Sequence, residues 1–500
     1  MARSLYSVLR GRFGSRVSGA ERARRAAEHY ERVRGVLPLE LVRASRQTGA
    51  SPGSVAVVGA GFAGCAAAFV ADLLGFEVTV YEAGDRVGGR VRSSQTVVEG
   101  RILELGAELI GLNHPVCIAA ADLLGFALSV VTPDDDYAGA WLESPLILDG
   151  QSYDQQAQAQ LYDGAQKVYD AWIEQAALVA DPWAPWQTPD ADELDAQNLA
   201  EQIPAGTPAD VAAFVAMDFE LNNTTPIVDQ SWLANLAQIQ AGGGEDFFDD
   251  TEVFRCAAGN QQLAVGLLGE LPLVNQTVSA VDTTPEEGVM LTADGQTAGP
   301  FDYVIVATSV AMWPSIRVDG GGFPYAGVES GSAIKYLAPV DTRFWIRQLL
   351  SPSGTFDRLG MTWEGTDNQA DTAAFDLTVF AGGGAAEDAI AHGGRDDYFA
   401  PLVSELYPGF PSTRGTFVNW RAEPTIGTGY SCPGPGQVVG AQQSYVTPHN
   451  GRLFVAGEHT SPAWFGFMEG ALESGIAAVA RMAQLAGVEL RDEWGGTSAL

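Results

Sequence analysis

The sequence is short of positive charge. Its 500 residues carry 28 Lys and Arg against 62 Asp and Glu, a net charge of −34. That deficit excludes the basic face a nucleic-acid binder needs, and it works against docking on an anionic membrane. Solubility, or a funnel for cationic molecules, is the use left for such acidity. The imbalance is uneven, because residues 1–50 hold eleven Arg and only four Glu. Within them "ERARRAAEHYERVRG" reads as helix, with Glu28 and Arg32 four apart. No apolar core of a secretory signal accompanies it. An arm lying on the acidic body, or a tail, is expected there.

Cysteine and histidine are equally sparse. The four Cys (Cys65, Cys117, Cys256, Cys432) form no CxxC, and the five His form no HxxxH. Neither a disulfide framework nor a metal site is expected. Apolar runs are too short, or too broken by Gly and charge, to span a bilayer. These absences lead us to expect a soluble, cytoplasmic protein.

Lysine is the scarcest cation. Lys167 and Lys335 stand against 26 Arg. Arg is a planar, permanently charged fork, whereas Lys is a compact charge that can hold one water and lose its proton when buried. Lys335 lies in the strand-like "SGSAIKYLAPVDTRFW". Either it has a chemical task, or it is a chance residue on a solvated strand edge.

What is present in force is a nucleotide fingerprint. In "SVAVVGAGFAGCAAAFVADLLGFEVTVYE" a buried strand meets Gly59, Gly61 and Gly64 in a GxGxxG turn. A small-residue helix follows, then a second strand ending at Glu82, 23 residues after Gly59. The glycines permit a tight turn and close approach to a pyrophosphate at the helix N-terminus. Glu82 is expected to accept from the adenosine ribose hydroxyls. The next segment, "AGDRVGGRVRS", adds Gly88, Gly89 and Arg90, which can reach a pyrophosphate bidentately; it resembles the second dinucleotide motif of FAD-containing oxidoreductases, which implies FAD rather than NAD. Near the C-terminus "GRLFVAGEHTSPAWFGFMEGALESGIAAVARM" pairs a strand ending at Glu458 with a helix opening at Met468. Glu458 would bind a ribityl hydroxyl, and the helix N-terminus would face the flavin ring. Val278, in "LVNQTVSAVD", would lay its backbone against adenine.

These segments predict an α/β fold. A Rossmann-like FAD-binding domain is assembled from 51–110, 251–314 and 413–490. An α+β substrate-binding domain comprises 111–250 and 315–412, and 1–50 form an N-terminal helical arm. Within the substrate-binding domain "AQAQLYDGAQKVYDAWIEQAALVA" reads as helix and "SPLILDGQSYD" as a small hairpin. Trp183, Trp186 and Trp232 either line an entrance or pack.

With "ELGAELIG", "DYVIVATS", "IKYLAPVDTRFW" and "NWRAEP" in the same order, the chain resembles the flavin-containing amine oxidase family over about 54–485. That family includes monoamine, polyamine and L-amino-acid oxidases. The resemblance implies FAD and a lysine, here Lys335, holding a water against flavin N5. It also implies aromatic pocket walls, here Tyr430 and Phe467 with Trp464 nearby, while Trp420 and Trp345 pack behind. Covalent members carry a Cys before the first wall; Gly429 stands here, so noncovalent FAD is expected and Cys432 is structural. Many L-amino-acid oxidases place a carboxylate-binding Arg where this chain has Leu109. Arg92, Arg255 and Arg421 are the candidates to replace it, and Glu108 could attract a cationic amine or serve the fold.

The implied reaction is oxidation of the C–N bond of an amine or L-amino acid, with a slight lean to the latter. Hydride goes to flavin N5, giving imine, and O2 then takes two electrons from the reduced flavin and, with two protons, leaves as H2O2. A mono- or polyamine oxidase without carboxylate recognition, an amino-acid 2-monooxygenase, a related desaturase or dehydrogenase, and a non-catalytic flavoprotein are the alternatives. Beyond substrate and O2 no nucleic-acid or membrane partner is expected, and assembly as a homo-oligomer is left open.

Overall fold

A computed structural model describes residues 50–131, 142–284, 288–369, 374–411, 414–488 and 490, with Arg10, Arg24, Arg25, Glu28 and Glu31. Most of the expected N-terminal arm therefore lies outside the described residues. Of its described members, Arg10 pairs with Glu245 and Asp249, and Arg25 pairs with Asp246 at 2.8 Å.

The fingerprint folds as read. Strand Ser54–Val58 leads into helix Phe62–Leu73 and returns as strand Glu77–Glu82. These two strands sit inside a parallel five-stranded sheet. Its order across the sheet is Leu453–Val455, Tyr303–Val306, Ser54–Val58, Glu77–Glu82 and Leu273–Asn275. Alternation along Ser54–Val58 decides which layer each face meets. Val55 and Val57 pack against the helices, in a core with Ala63, Ala67, Leu472 and Ile476. Ala56 and Val58 pack on a four-stranded, mainly antiparallel sheet through Val281, Val289 and Leu291. The C-terminal helix Met468–Leu485 crosses Phe62–Leu73 where Gly475 faces Ala63; a Cβ on Gly475 would strike the Ala63 carbonyl.

A seven-stranded mixed sheet forms the second layer system. Strand Ala333–Val340 runs between Thr416–Asn419 and Phe375–Gly382, which pairs in turn with Gly360–Glu364. Lys335 is thus on an interior strand and only 5% exposed, which removes the solvated-edge explanation. Register puts Lys335 opposite Phe380 and Phe380 opposite Met361. Trp363, two residues on from Met361, shares that face. Ile334 and Tyr336 point the other way, into a core with Val379, Phe399 and Trp345.

The helix expected in the substrate region spans Gln155–Ala176, and Leu146–Leu148 pairs with Gln151–Ser152 as the expected hairpin. Trp232 is buried, and Trp183 and Trp186 pack against the same core. Trp183 donates to Glu473 at 3.0 Å, and none of the three lines the central cavity. No described helix is long and apolar enough to cross a membrane.

Candidate active site

One elongated cavity of about 650 Å³ joins the two sheets. Its first end is the glycine turn. Gly59 has φ +105°, and a Cβ there would lie 2.9 Å from the Ala307 carbonyl. Gly61 and Gly89 face each other, with φ +59° at Gly89 and a virtual Gly89 Cβ 3.2 Å from Gly61 Cα. The amides of Phe62 and Ala63 open the helix, where no preceding helical turn supplies acceptors. A slot walled by glycine at the positive end of a helix suits a pyrophosphate. Gly64 does not line the cavity. A Cβ on it would collide with the Gly59 carbonyl, so its task is to let helix and turn close up.

Glu82 accepts from Ala60 N and Gly84 N, both at 2.7 Å, and shapes the turn it ends. Each of its oxygens retains a further acceptor position. Val278, Gln276 and Thr277 line the same end, and Met468 lines the cavity farther along. Arg86 lies over the Trp420 ring, 5.6 Å from its centroid. Trp420 therefore belongs to the cavity wall, contrary to expectation, whereas Trp345 is core.

Arg90 and Glu458 depart from their sequence reading by meeting each other. Arg90 bonds Glu458 Oε1 at 2.7 Å and also donates to the Gly429 carbonyl. Glu458 accepts from Ser431 Oγ at 2.5 Å and from Gly466 N at 2.7 Å. Burial alone would raise the Glu458 carboxyl; Arg90 and these donors overcome it and hold it below the ordinary range. The carboxylate thereby ties together Ser431 and Gly466, the neighbours of Tyr430 and Phe467. Its oxygens are committed to protein rather than free for a ribityl chain.

The second end has an apolar wall facing a set of polar side chains. Leu109, Phe247, Met361, Trp363, Phe380, Tyr430 and Phe467 line it. Tyr430 donates to the Asn222 backbone carbonyl at 2.6 Å, which fixes its ring. Burial, with Glu252 next in effect, pushes its phenol up. Trp464 is off this wall: fully buried, it stands behind Phe467 with ring centroids 5.5 Å apart, against His114 at 4.7 Å.

Lys335 sits in this end. Its Nζ donates to Glu108 Oε2 at 2.7 Å and to the Glu104 carbonyl at 3.0 Å, and lies 5.3 Å from the Trp363 ring centroid. Glu108 also receives Trp363 Nε1 at 3.1 Å and an Arg255 N–H at 3.2 Å. Arg255 continues to Asp367 and to the carbonyl of Gly365 at 2.6 Å. Glu108 thus serves a buried ion network inside the fold. Arg421 pairs with Glu387 at 2.6 Å on the surface, and Arg92 faces Glu423 at 3.7 Å, half-exposed.

Sequence reading missed Met361, Trp363 and Phe380, which only strand register brings beside Lys335. The alternation in "GMTWE" was the available signal. It also missed Asn222, Asn223, Gln238 and Phe247, which helices carry to the cavity, and Glu252 just after the last of them; nothing local marks them.

Comparison with known proteins agrees with this geometry. Residues 62–483 match the model of the flavin containing amine oxidoreductases. The chain belongs to that family, and FAD is its cofactor. No cysteine lines the cavity among the described residues, in keeping with noncovalent attachment. The chain is 26% identical over 472 residues to a nicotine dehydrogenase of Pseudomonas putida (strain DSM 28022 / S16), covering 89% of this chain and 91% of that protein. It is 31% identical over 275 residues to a putative flavin-containing monoamine oxidase, AofH, of Mycobacterium tuberculosis (strain ATCC 25618 / H37Rv), covering 53% and 59%. The solved cyclohexylamine oxidase of Brevibacterium oxydans IH-35A superposes with a TM-score of 0.75 at 21% identity, over 86% of this chain and 99% of that one.

Proposed function

We propose that the protein oxidises the C–N bond of an amine that carries no carboxylate on the reacting carbon, with O2 as acceptor. One observation carries this reading: among the described residues, the wall cations nearest the aromatic end already face carboxylates. Lys335 is held by Glu108 and Arg90 by Glu458, whereas Arg86 lies at the glycine-turn end over Trp420. Arg255 is tied to Glu108 and Asp367, outside the wall, and Leu109 stands where a carboxylate receptor would be. Burying a substrate carboxylate without a partner costs several kcal/mol.

When bound, FAD supplies the two-electron acceptor. The chain's own work is orientation and exclusion of water. Tyr430, Phe467, Trp363 and Phe380 give the amine an apolar slot. An ammonium has three donors, and Lys335 uses two, on Glu108 and Glu104. The third is left for a cavity water, which supports the family role of this lysine in proton handling. The imine product then hydrolyses to a carbonyl compound and ammonia or a smaller amine.

The reading is tested with holoenzyme, following anaerobic bleaching of the flavin and peroxide release in air. Matched substrates such as 2-phenylethylamine and L-phenylalanine are compared. The amine is expected to give at least tenfold higher kcat/KM; preference for the amino acid would overturn it. The long alignment with a nicotine dehydrogenase favours one second reading, a dehydrogenase. It predicts bleaching by amine with slow reoxidation in air and rapid turnover with an artificial electron acceptor.

A further inference from the structure

Three amides line the substrate end of the cavity, Asn222, Asn223 and Gln238, and their orientation follows from backbone groups. Gln230 donates through Nε2 to the carbonyls of Thr225 at 2.6 Å and Phe219 at 3.3 Å. Asn235 donates through Nδ2 to the Ser231 carbonyl at 2.9 Å. Carbonyls only accept, so the oxygens of Gln230 and Asn235 must turn the other way. Both turn to Asn223, which donates its Nδ2 to them at 2.8 and 3.1 Å. By the same logic Gln238 Nε2 is fixed on the Phe465 carbonyl at 2.9 Å, and Asn222 Nδ2 on the Asp218 carbonyl at 2.6 Å.

Both N–H groups of Asn222 and of Asn223 are therefore spent inside the protein, and Gln238 commits one of its two. The side-chain oxygens of Asn222, Asn223 and Gln238 accept no hydrogen bond among the described residues, and none is sealed from the cavity as an orphaned buried atom. They stand next to both aromatic walls. Tyr430 is anchored on the Asn222 carbonyl, and Gln238 on Phe465, two residues before Phe467.

We propose that these oxygens form an acceptor-rich subsite that receives N–H groups of the substrate. It selects amines or ammonium groups with free N–H bonds over carboxylates and over quaternary nitrogen. The proposal rests on the amine reading above and deepens it. A carboxylate offers only acceptors, so its lone pairs would face those of three amides. A quaternary nitrogen is cationic but offers no donor, which separates hydrogen bonding from charge. Leaving such polar groups unmatched is what makes hydrogen-bonding sites discriminate strongly.

The test uses ligands that cannot be oxidised. tert-Butylamine has no hydrogen on the carbon bearing nitrogen; pivalate and the tert-butyltrimethylammonium ion match its shape. Binding to the oxidised holoenzyme is read from the flavin difference spectrum. tert-Butylamine is expected to bind at least tenfold more tightly than either. Gln238→Met and Asn222→Leu should each reduce that preference severalfold; the second leaves the backbone anchor of Tyr430 intact. Equal affinities, tightest binding of pivalate, no binding of tert-butylamine, or variants that weaken all three ligands alike would overturn the subsite. If no amine bleaches the flavin while the preference persists, the proposed oxidation fails and the subsite stands.

Discussion

Glu108 and Lys335 form a buried pair, Nζ to Oε2 at 2.7 Å, with each residue about 5% exposed. The two members are not equivalent. Glu108 has three donors from Lys335, Arg255 and Trp363, whereas Lys335 has the Glu104 carbonyl as its other partner. Glu108→Gln removes the carboxylate bonded to Lys335, while Arg255 keeps Asp367; Lys335→Met leaves Glu108 still paired with Arg255. Breaking a buried pair in that way costs about 3–5 kcal/mol. Glu108→Gln is therefore expected to lower the thermal midpoint of the holoenzyme more than Lys335→Met. Stopped-flow traces of Lys335→Met should show slower flavin reduction, reoxidation or both. Unchanged kinetics would remove the lysine from the chemistry.

Gly61 and Gly64 belong to one motif but answer differently to alanine. The nearest atom to a Cβ on Gly61 is Gly89 Cα at 3.9 Å, so Gly61→Ala is accommodated by the protein. That methyl would occupy the slot assigned to the pyrophosphate. A methyl on Gly64 drives into the Gly59 carbonyl. Gly61→Ala should fold and purify pale, with FAD content in the isolated protein reduced at least tenfold. Gly64→Ala should give little soluble protein. A fully yellow Gly61→Ala variant would refute the slot.

Much of this was legible in the sequence where chemistry is local. The glycine turn, Glu82 and the helix opening at Met468 sit in short segments whose strand–turn–helix pattern fixes them, whereas Tyr430 was reached only through the family resemblance. Lys335 was legible as an anomaly, through its rarity, but its partner was not. Glu108 reaches it across 227 residues, and only the fold makes that pairing. The same holds for Arg90 and Glu458, each readable as a cofactor ligand alone and found joined in the structure. Trp464 shows the opposite failure: a sequence neighbour of the wall whose ring turns into the core.

The Glu458 clamp predicts coupled losses. Glu458→Gln removes the charge facing Arg90 and the acceptor on one side of Ser431 and Gly466. Hydrogen bonds to a charged group are worth about 1.5–3 kcal/mol, so a loss of that order in stability is expected. Because both wall residues adjoin the clamp, KM for amines should rise together with the dissociation constant for FAD. The pH sign follows from its lowered carboxyl: the stabilisation is complete above the unfolded-state value, near 4.3, and is lost on acidification through the lower folded value. Titrating unfolding below pH 5 should show wild type losing its advantage over Glu458→Gln.

Glu469 and Glu473 give the opposite sign. They are buried one turn apart on the C-terminal helix. Burial, then the neighbouring Glu473, pushes Glu469 up to about 8, although Val116 N and Cys117 N donate to it at 2.8 and 2.9 Å. Burial pushes Glu473 up to about 7, against the donors Ser461 and Trp183. An acid raised in the folded state holds its proton there longer than in the unfolded chain. Folding stability is then full below the unfolded value near 4.3 and falls as pH rises to about 8, where the folded protein also ionises. The thermal midpoint should therefore decline between pH 5 and 8. Glu473→Gln keeps an acceptor for Trp183 and turns an N–H to the Ser461 hydroxyl but cannot ionise, so it should flatten the decline. Glu469→Gln, which retains an oxygen for the helix start at Val116, should flatten it further. A wild-type midpoint that rises over this range, or variants with an unchanged slope, would show that these two carboxyls are ionised in the folded protein at neutral pH.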